Sequence, residues 1–206
     1  MQISWNGLGS YTFAMKTASG DVTVVTDPFA SGDVKFPRSL AASLVVSSYD
    51  DAAAHTLDAI VPEYPEDKRN PFLVEHAGEF EVRGVAVTGV AAPRKDGTLH
   101  TIYRMDAENM HIGFLGALDR VLTDKEVEAL GTVDVLIIPT GTGVLSASAC
   151  AEVIAQIEPR LVIPSYAEDT SAFCRELSAP TESTPKLKLV RAGLPEEDMK
   201  IVTITM

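Results

Sequence analysis

The chain has 206 residues, enough to bury one sizeable core, and its 46% hydrophobic and 22% charged content excludes wholesale disorder. A formal net charge of −12 at pH 7 opposes phosphate backbones and anionic lipid surfaces, so neither nucleic acid nor membrane is expected as a partner. No stretch approaches the roughly 20 apolar residues that span a bilayer, and the first residues, MQISWNGLGSYTF, lack the basic-then-apolar layout of a leader, so a cytoplasmic location is expected.

In chain order, Ile3 and Trp5, then Tyr11, Phe13 and Met15, then DVTVVTD alternate as strands do, separated by the turn-forming NGLGS and ASGD. This predicts an antiparallel meander. SLVVSS is a short, continuously apolar run suited to a strand buried on both faces. The proline-rich VPEYPEDKRNP reads as a surface loop, and EFEVRGVAVTGVAA and TIYRMDAENMHIGFLG read as two hairpins, the second turning at DAEN. After Gly116 helices enter. Thr123 and Glu126 form a capping box ahead of a short helix closed by Gly131, and SASACAEVIAQIEP is a helix with Ala149, Val153 and Ile157 on one face. That helix lies between the apolar strands VDVLIIPTG and RLVIPS, a βαβ unit that predicts parallel pairing. TSAFCRELSAP reads as a last helix, and TPKLKLVRAG and KIVTITM return to strand.

Few residues here announce chemistry by themselves. Cys150 and Cys174 are too far apart for a CxxC motif and read as core filler. GLGS and TGTG match neither a dinucleotide fingerprint nor a P-loop, and Ser47 and Ser48 lack the G-x-S-x-G turn of a nucleophilic serine. His76, His100 and His111 are scattered over strand and turn positions and read as surface or hydrogen-bonded residues. Asp50 and Asp51 follow a strand as adjacent carboxylates whose side chains diverge, so capping of the AAAHTL turn explains at least one of them.

The order of ISWNGLGSYTF, VVTDPF, LVVSSYDD, HAGEFEVRGV, HTIYRMDAENMHIGFLGALD, LGTVDVLIIPTG and AEVIAQIEPRLVIPS resembles the metallo-β-lactamase-fold hydrolases, within them the small bacterial zinc-dependent hydrolase-like branch. The resemblance covers nearly the whole chain. It implies one α/β (α+β) domain over residues 1–206, an αββα sandwich of two mixed sheets with outer helices, built from similar halves of roughly 1–95 and 96–206. It also implies a zinc site in a cleft at one edge of the sheets.

The family's His-x-His-x-Asp-His cluster falls on Tyr49, Asp51, Ala53 and Ala54, its next His on Arg94, its bridging Asp on Ala117 and its last His on Tyr166, with Asp27 pointing toward the same cleft. Apart from Asp51, each replacement removes metal-binding capacity, and a guanidinium repels a cation. No cofactor is therefore expected. The resemblance leads us to expect that Arg94 fills the metal volume and pairs with Asp51 or Asp27, with Tyr49 and Tyr166 occupying the space of the imidazoles. The expected role is non-catalytic, binding or assembly, with a small molecule or a protein as partner and a homodimer plausible from the apolar sheet edges. The competing reading is a hydrolase with a relocated site at Asp51, His55 and Asp119, the first two spaced i, i+4, or metal-free chemistry by Asp51, Tyr49 and Arg94.

Overall fold

Alternating apolar residues make β1 (Gln2–Gly7), β2 (Ser10–Thr17) and β3 (Gly20–Thr26) one antiparallel meander, in register through Ile3 opposite Phe13 and Phe13 opposite Val24. The computed structural model describes residues 1–30, 34–65, 70–166 and 169–205. The run LVV forms β5 (Leu44–Val46), buried throughout and parallel to β3, and β7 (Phe72–Val74) lies parallel on its other side. Two short parallel strands, β4 (Leu40–Ala42) and β6 (Ile60–Pro62), form a separate pair, so the proline-rich segment begins as strand; its residues 66–69 lie outside the described residues.

The hairpins appear where the sequence places them: β8 (Gly78–Val82) with β9 (Val85–Ala91), and β10 (Thr101–Ala107) with β11 (Met110–Phe114). Helix α1 (Asp124–Leu130) carries the complete capping box of Thr123 and Glu126. Then come β12 (Val135–Pro139), α2 (Ala147–Ile157), β13 (Leu161–Ser165) and α3 (Ser171–Leu177). Strands β11, β12 and β13 are parallel, as the βαβ reading requires. The buried face of α2 is Cys150, Val153 and Ile154, rotated by about one residue from the predicted Ala149 stripe because Cys150 and Ile154 meet the sheet. The TPKLKLVRAG strand is broken: β14 (Thr181–Thr184) and β15 (Leu187–Lys188) flank a bend, a 3-10 turn takes Arg191–Gly193, and β16 (Lys200–Ile204) follows.

The strands assemble into a six-stranded sheet ordered β15-β1-β2-β3-β5-β7 and an eight-stranded sheet ordered β14-β16-β13-β12-β11-β10-β9-β8. Between them lies the main core, where Ile3, Phe13, Val24, Leu44 and Val46 meet Met105, Phe114, Ile137 and Ile163. The mixed-sheet sandwich is present, and the three α-helices among the described residues cover the outer face of the larger sheet, through Leu130, Val153, Ile154 and Phe173. On the smaller sheet, Val25, Val45 and Leu73 are covered instead by Ala42, Phe36, Leu40 and Ile60 around the β4–β6 pair. Sheet membership changes between β7 and β8 rather than at residue 95, and β15 returns late to the first sheet.

Candidate functional site

Strands β3, β5, β9, β11 and β13 end on the same side, and the loops that follow them hold the residues singled out in the sequence. Asp27 is fully buried with φ at +37°; its carboxylate accepts from Ser48 N and Ser48 Oγ, each at 2.7 Å. Burial without a facing cation pushes its pKa up to about 7, against the opposing effect of the Ser48 hydrogen bonds. Leu8 and Tyr166 also take positive φ, +49° and +69°, and the Leu8 carbonyl accepts from both Tyr166 N (3.2 Å) and Trp5 Nε1 (2.9 Å). Three non-glycine residues in the left-handed region thus meet at one end of the sandwich, each a cost of about 1–3 kcal/mol that the surrounding structure sustains.

Tyr49 and Tyr166 stand together. Burial first, then the Asp27 charge, raises the pKa of both phenols, so the phenolate that a metal would need is disfavoured. The buried Tyr166 hydroxyl has the Tyr49 hydroxyl as its side-chain partner, and it packs so closely on Gly9 that a Cβ there would sit 2.6 Å from it. Asp51 is exposed and caps the turn, its Oδ1 accepting from Ala53 N at 2.9 Å, the local role expected for one of the two carboxylates. Ala54 and Ala117 are buried, Ala53 is half-buried, and none offers a donor atom. His55 Nδ1 lies 3.4 Å from Asp50 and 3.5 Å from Glu75, turned away from Asp51.

Arg94 reaches into the site, but its partner is different from the one expected. Its Nε lies 3.7 Å from Asp119 Oδ2, its Nη2 donates to Gly143 O at 2.8 Å, and its guanidinium carbon is 6.0 Å from the Tyr49 ring centre. The pairing with Asp51 or Asp27 is corrected to Asp119, because Asp119 also accepts from Lys95 N at 3.0 Å and is thereby fixed against the Arg94 turn. Ser48 already supplies hydrogen bonds to both oxygens of Asp27. Beneath lies His100, which accepts from Ala117 N at Nε2 and donates from Nδ1 to Ala92 O, both at 3.2 Å. Burial pulls its pKa down to about 4 and keeps it neutral.

These residues do not fit zinc. Among the described residues no three His, Cys, Asp or Glu side chains converge to hold a metal ion, and Asp51, His55 and Asp119 face separate partners. The positions at which the resemblance expects the metal ligands hold, besides Asp51, two neutral phenols, a cation and three alanines. Two contributors escaped sequence reasoning. Ser48 acts as the clamp on Asp27, while Ser165, inward like Leu161 and Ile163 by strand alternation, leaves its buried hydroxyl without a partner among the described residues. The alternation of RLVIPS was the available signal for Ser165.

Comparison with known proteins places this geometry. The family described as beta-lactamase superfamily domain matches residues 2–166. No curated protein matches. A Thermotoga maritima protein named as a zinc-dependent hydrolase of the metallo-β-lactamase superfamily is similar over 100% of this chain and 99% of its own, with a TM-score of 0.79 at 24% identity. A metal-dependent hydrolase by name from Parabacteroides distasonis aligns over 98% of this chain and 91% of its own (TM-score 0.60, 12% identity). The metallo hydrolase Igni18 of Ignicoccus hospitalis aligns over 99% and 94% (TM-score 0.63, 11% identity). At these identities the likeness speaks for the fold.

Proposed function

Since the chain belongs to the beta-lactamase superfamily domain family, we propose that it is a hydrolase-like protein that uses the fold for binding or assembly rather than for metal-dependent hydrolysis. One observation supports this reading: Arg94 sits by Tyr49 with its charge set against Asp119, and Tyr49 lies by Tyr166, all three at positions where the resemblance puts the family's histidines. A cation in that volume would meet a guanidinium and two phenols held protonated, an environment that opposes it. The retained strain at Leu8, Asp27 and Tyr166 supports a working cleft rather than a relic, since such backbone persists only where the surroundings hold it. The occupant in this reading is a small molecule or a protein, with a homodimer as the assembly and the cytoplasm as the setting; no described helix is long and apolar enough to cross a membrane.

The test is metal content by mass spectrometry on protein purified without chelator, with calorimetric titration of Zn²⁺ and Mn²⁺. Neither stoichiometric metal nor submicromolar binding is expected, nor turnover of bis(p-nitrophenyl) phosphate, p-nitrophenyl acetate or nitrocefin. Submicromolar binding that disappears in Asp51→Ala would overturn the reading and favour a reduced hydrolytic site.

A further inference from the structure

The connection between β9 and β10 is fixed at its base and free at its tip. Ala92 N donates to His100 O at 2.9 Å, both residues are buried, and His100 is held again by Ala117 N. The tip closes on itself through Arg94 N to Thr98 O at 3.1 Å and Gly97 N to Arg94 O at 2.9 Å. Residues 93 and 95–99 are exposed, Leu99 at 83%. Within this exposed run Arg94 alone turns inward, and its contacts reach three other loops: Gly143 after β12, Asp119 after β11, and Tyr49 after β5. Gly143 has φ at +81° and nothing within 4 Å of where a Cβ would stand, so the receiving carbonyl sits on a loop with room to move.

Next to Tyr166, the Ser165 Oγ is buried with no hydrogen bond among the described residues, and the buried Tyr166 Oη has the Tyr49 hydroxyl as its side-chain partner. Both hydroxyls can donate. Buried donors left unpaired are costly, and native structures supply them with an acceptor.

We infer that residues 92–100 form a strap latched across the cleft by Arg94, and that its release admits a small hydrogen-bond-accepting molecule to Ser165 and Tyr166. The inference rests on the cleft being a binding site rather than a metal site. Arg94 is a positioning residue in this scheme: its guanidinium holds the strap through one exposed carbonyl and one largely buried ion pair, a catch that a competing acceptor can replace.

The experiment is acetylation of tyrosine hydroxyls by N-acetylimidazole, a small neutral reagent, read residue by residue by mass spectrometry on the full chain. Tyr11 and Tyr103, buried in the core at 1% and 0% exposure, serve as internal controls for global unfolding. In Arg94→Ala, Tyr166 should react about tenfold faster or more, the scale of losing one charge-assisted hydrogen bond, while Tyr11 and Tyr103 stay protected. Arg94→Lys, which can reach one acceptor but not span both, should fall between. Equal protection of Tyr166 in wild type and Arg94→Ala would overturn the strap, and a joint rise of all three tyrosines would reduce Arg94 to a structural tie. Metal titration decides the underlying reading separately, so the two failures are distinguishable.

Discussion

Replacing Asp27 by Asn should remove a pH dependence that the wild-type fold carries. The carboxyl is fully buried, faces no cation in its hydrogen-bonding shell, and has its pKa raised from 3.8 to about 7. A folded-state pKa above the unfolded one means that the native state holds the proton more tightly. The associated stability is complete below the unfolded value and is lost as pH rises through about 7. A shift of this size corresponds to about 4 kcal/mol in all, more than half of which falls between about pH 5 and pH 8. The substituted amide can accept from Ser48 N through its carbonyl, while the Ser48 hydroxyl rotates to accept from its NH₂ group, so shape and hydrogen bonding survive. The assay is urea unfolding of both proteins across that range, with the difference between them isolating residue 27 from every other titrating group. Wild type should lose stability relative to Asp27→Asn as pH rises. A difference that stays flat within about 1 kcal/mol, or that grows in the opposite direction, would refute the burial argument.

Other outcomes follow from the same geometry. Gly116 has φ at +52°, and a Cβ there would overlap the Ser48 side chain and approach His100 Nε2 to 2.9 Å, so Gly116→Ala should cost about 3 kcal/mol or more in thermal unfolding. Gly9→Ala should push Tyr166 out of place, because the new Cβ would lie 2.6 Å from its hydroxyl. Trp5, the chain's single tryptophan and bonded to the same Leu8 carbonyl, should report this as a shifted emission maximum. Arg120→Ala should cost about 2 kcal/mol by removing the cation from Glu126 and leaving it only the Thr123 N bond, since both terminal guanidinium nitrogens donate to that nearly buried carboxylate, at 2.9 and 2.6 Å. Burial acts to raise the Glu126 pKa, but the bonds from Arg120 and Thr123 outweigh it and hold the carboxyl below its usual range. That part of the stability should therefore be lost as pH falls, the reverse of Asp27.

The elements that sequence makes legible are those specified locally. Thr123, Glu126 and Gly131 delimit α1 because caps act within one turn, and the alternation of Ile3, Phe13 and Val24 finds the core face because strand pleat has a period of two. The Arg94 partner was not legible, since Asp51, Asp27 and Asp119 are equally charged in a sequence and only the packing of the β9–β10 and β11–α1 connections brings Asp119 to it. His100 reads as a surface or hydrogen-bonded residue and is hydrogen-bonded, just ahead of β10; its neutrality follows from burial, which no local pattern reports. The α2 stripe was misplaced by about one residue because Ala149 and Cys150 are both small and apolar, so hydrophobicity alone could not choose between them.

The pairing of β15 with β1 has a consequence for how the chain is made. Gln2 lies opposite Lys188, so the outer edge of the first sheet is completed by residues synthesised 186 positions later. At roughly 5–20 residues per second, that edge stays open for roughly 10–40 s after the ribosome has released it, with its backbone amides and carbonyls available to any passing strand. Quality of production should therefore depend on the speed of translation and on chaperone supply more than on the stability of the finished sandwich.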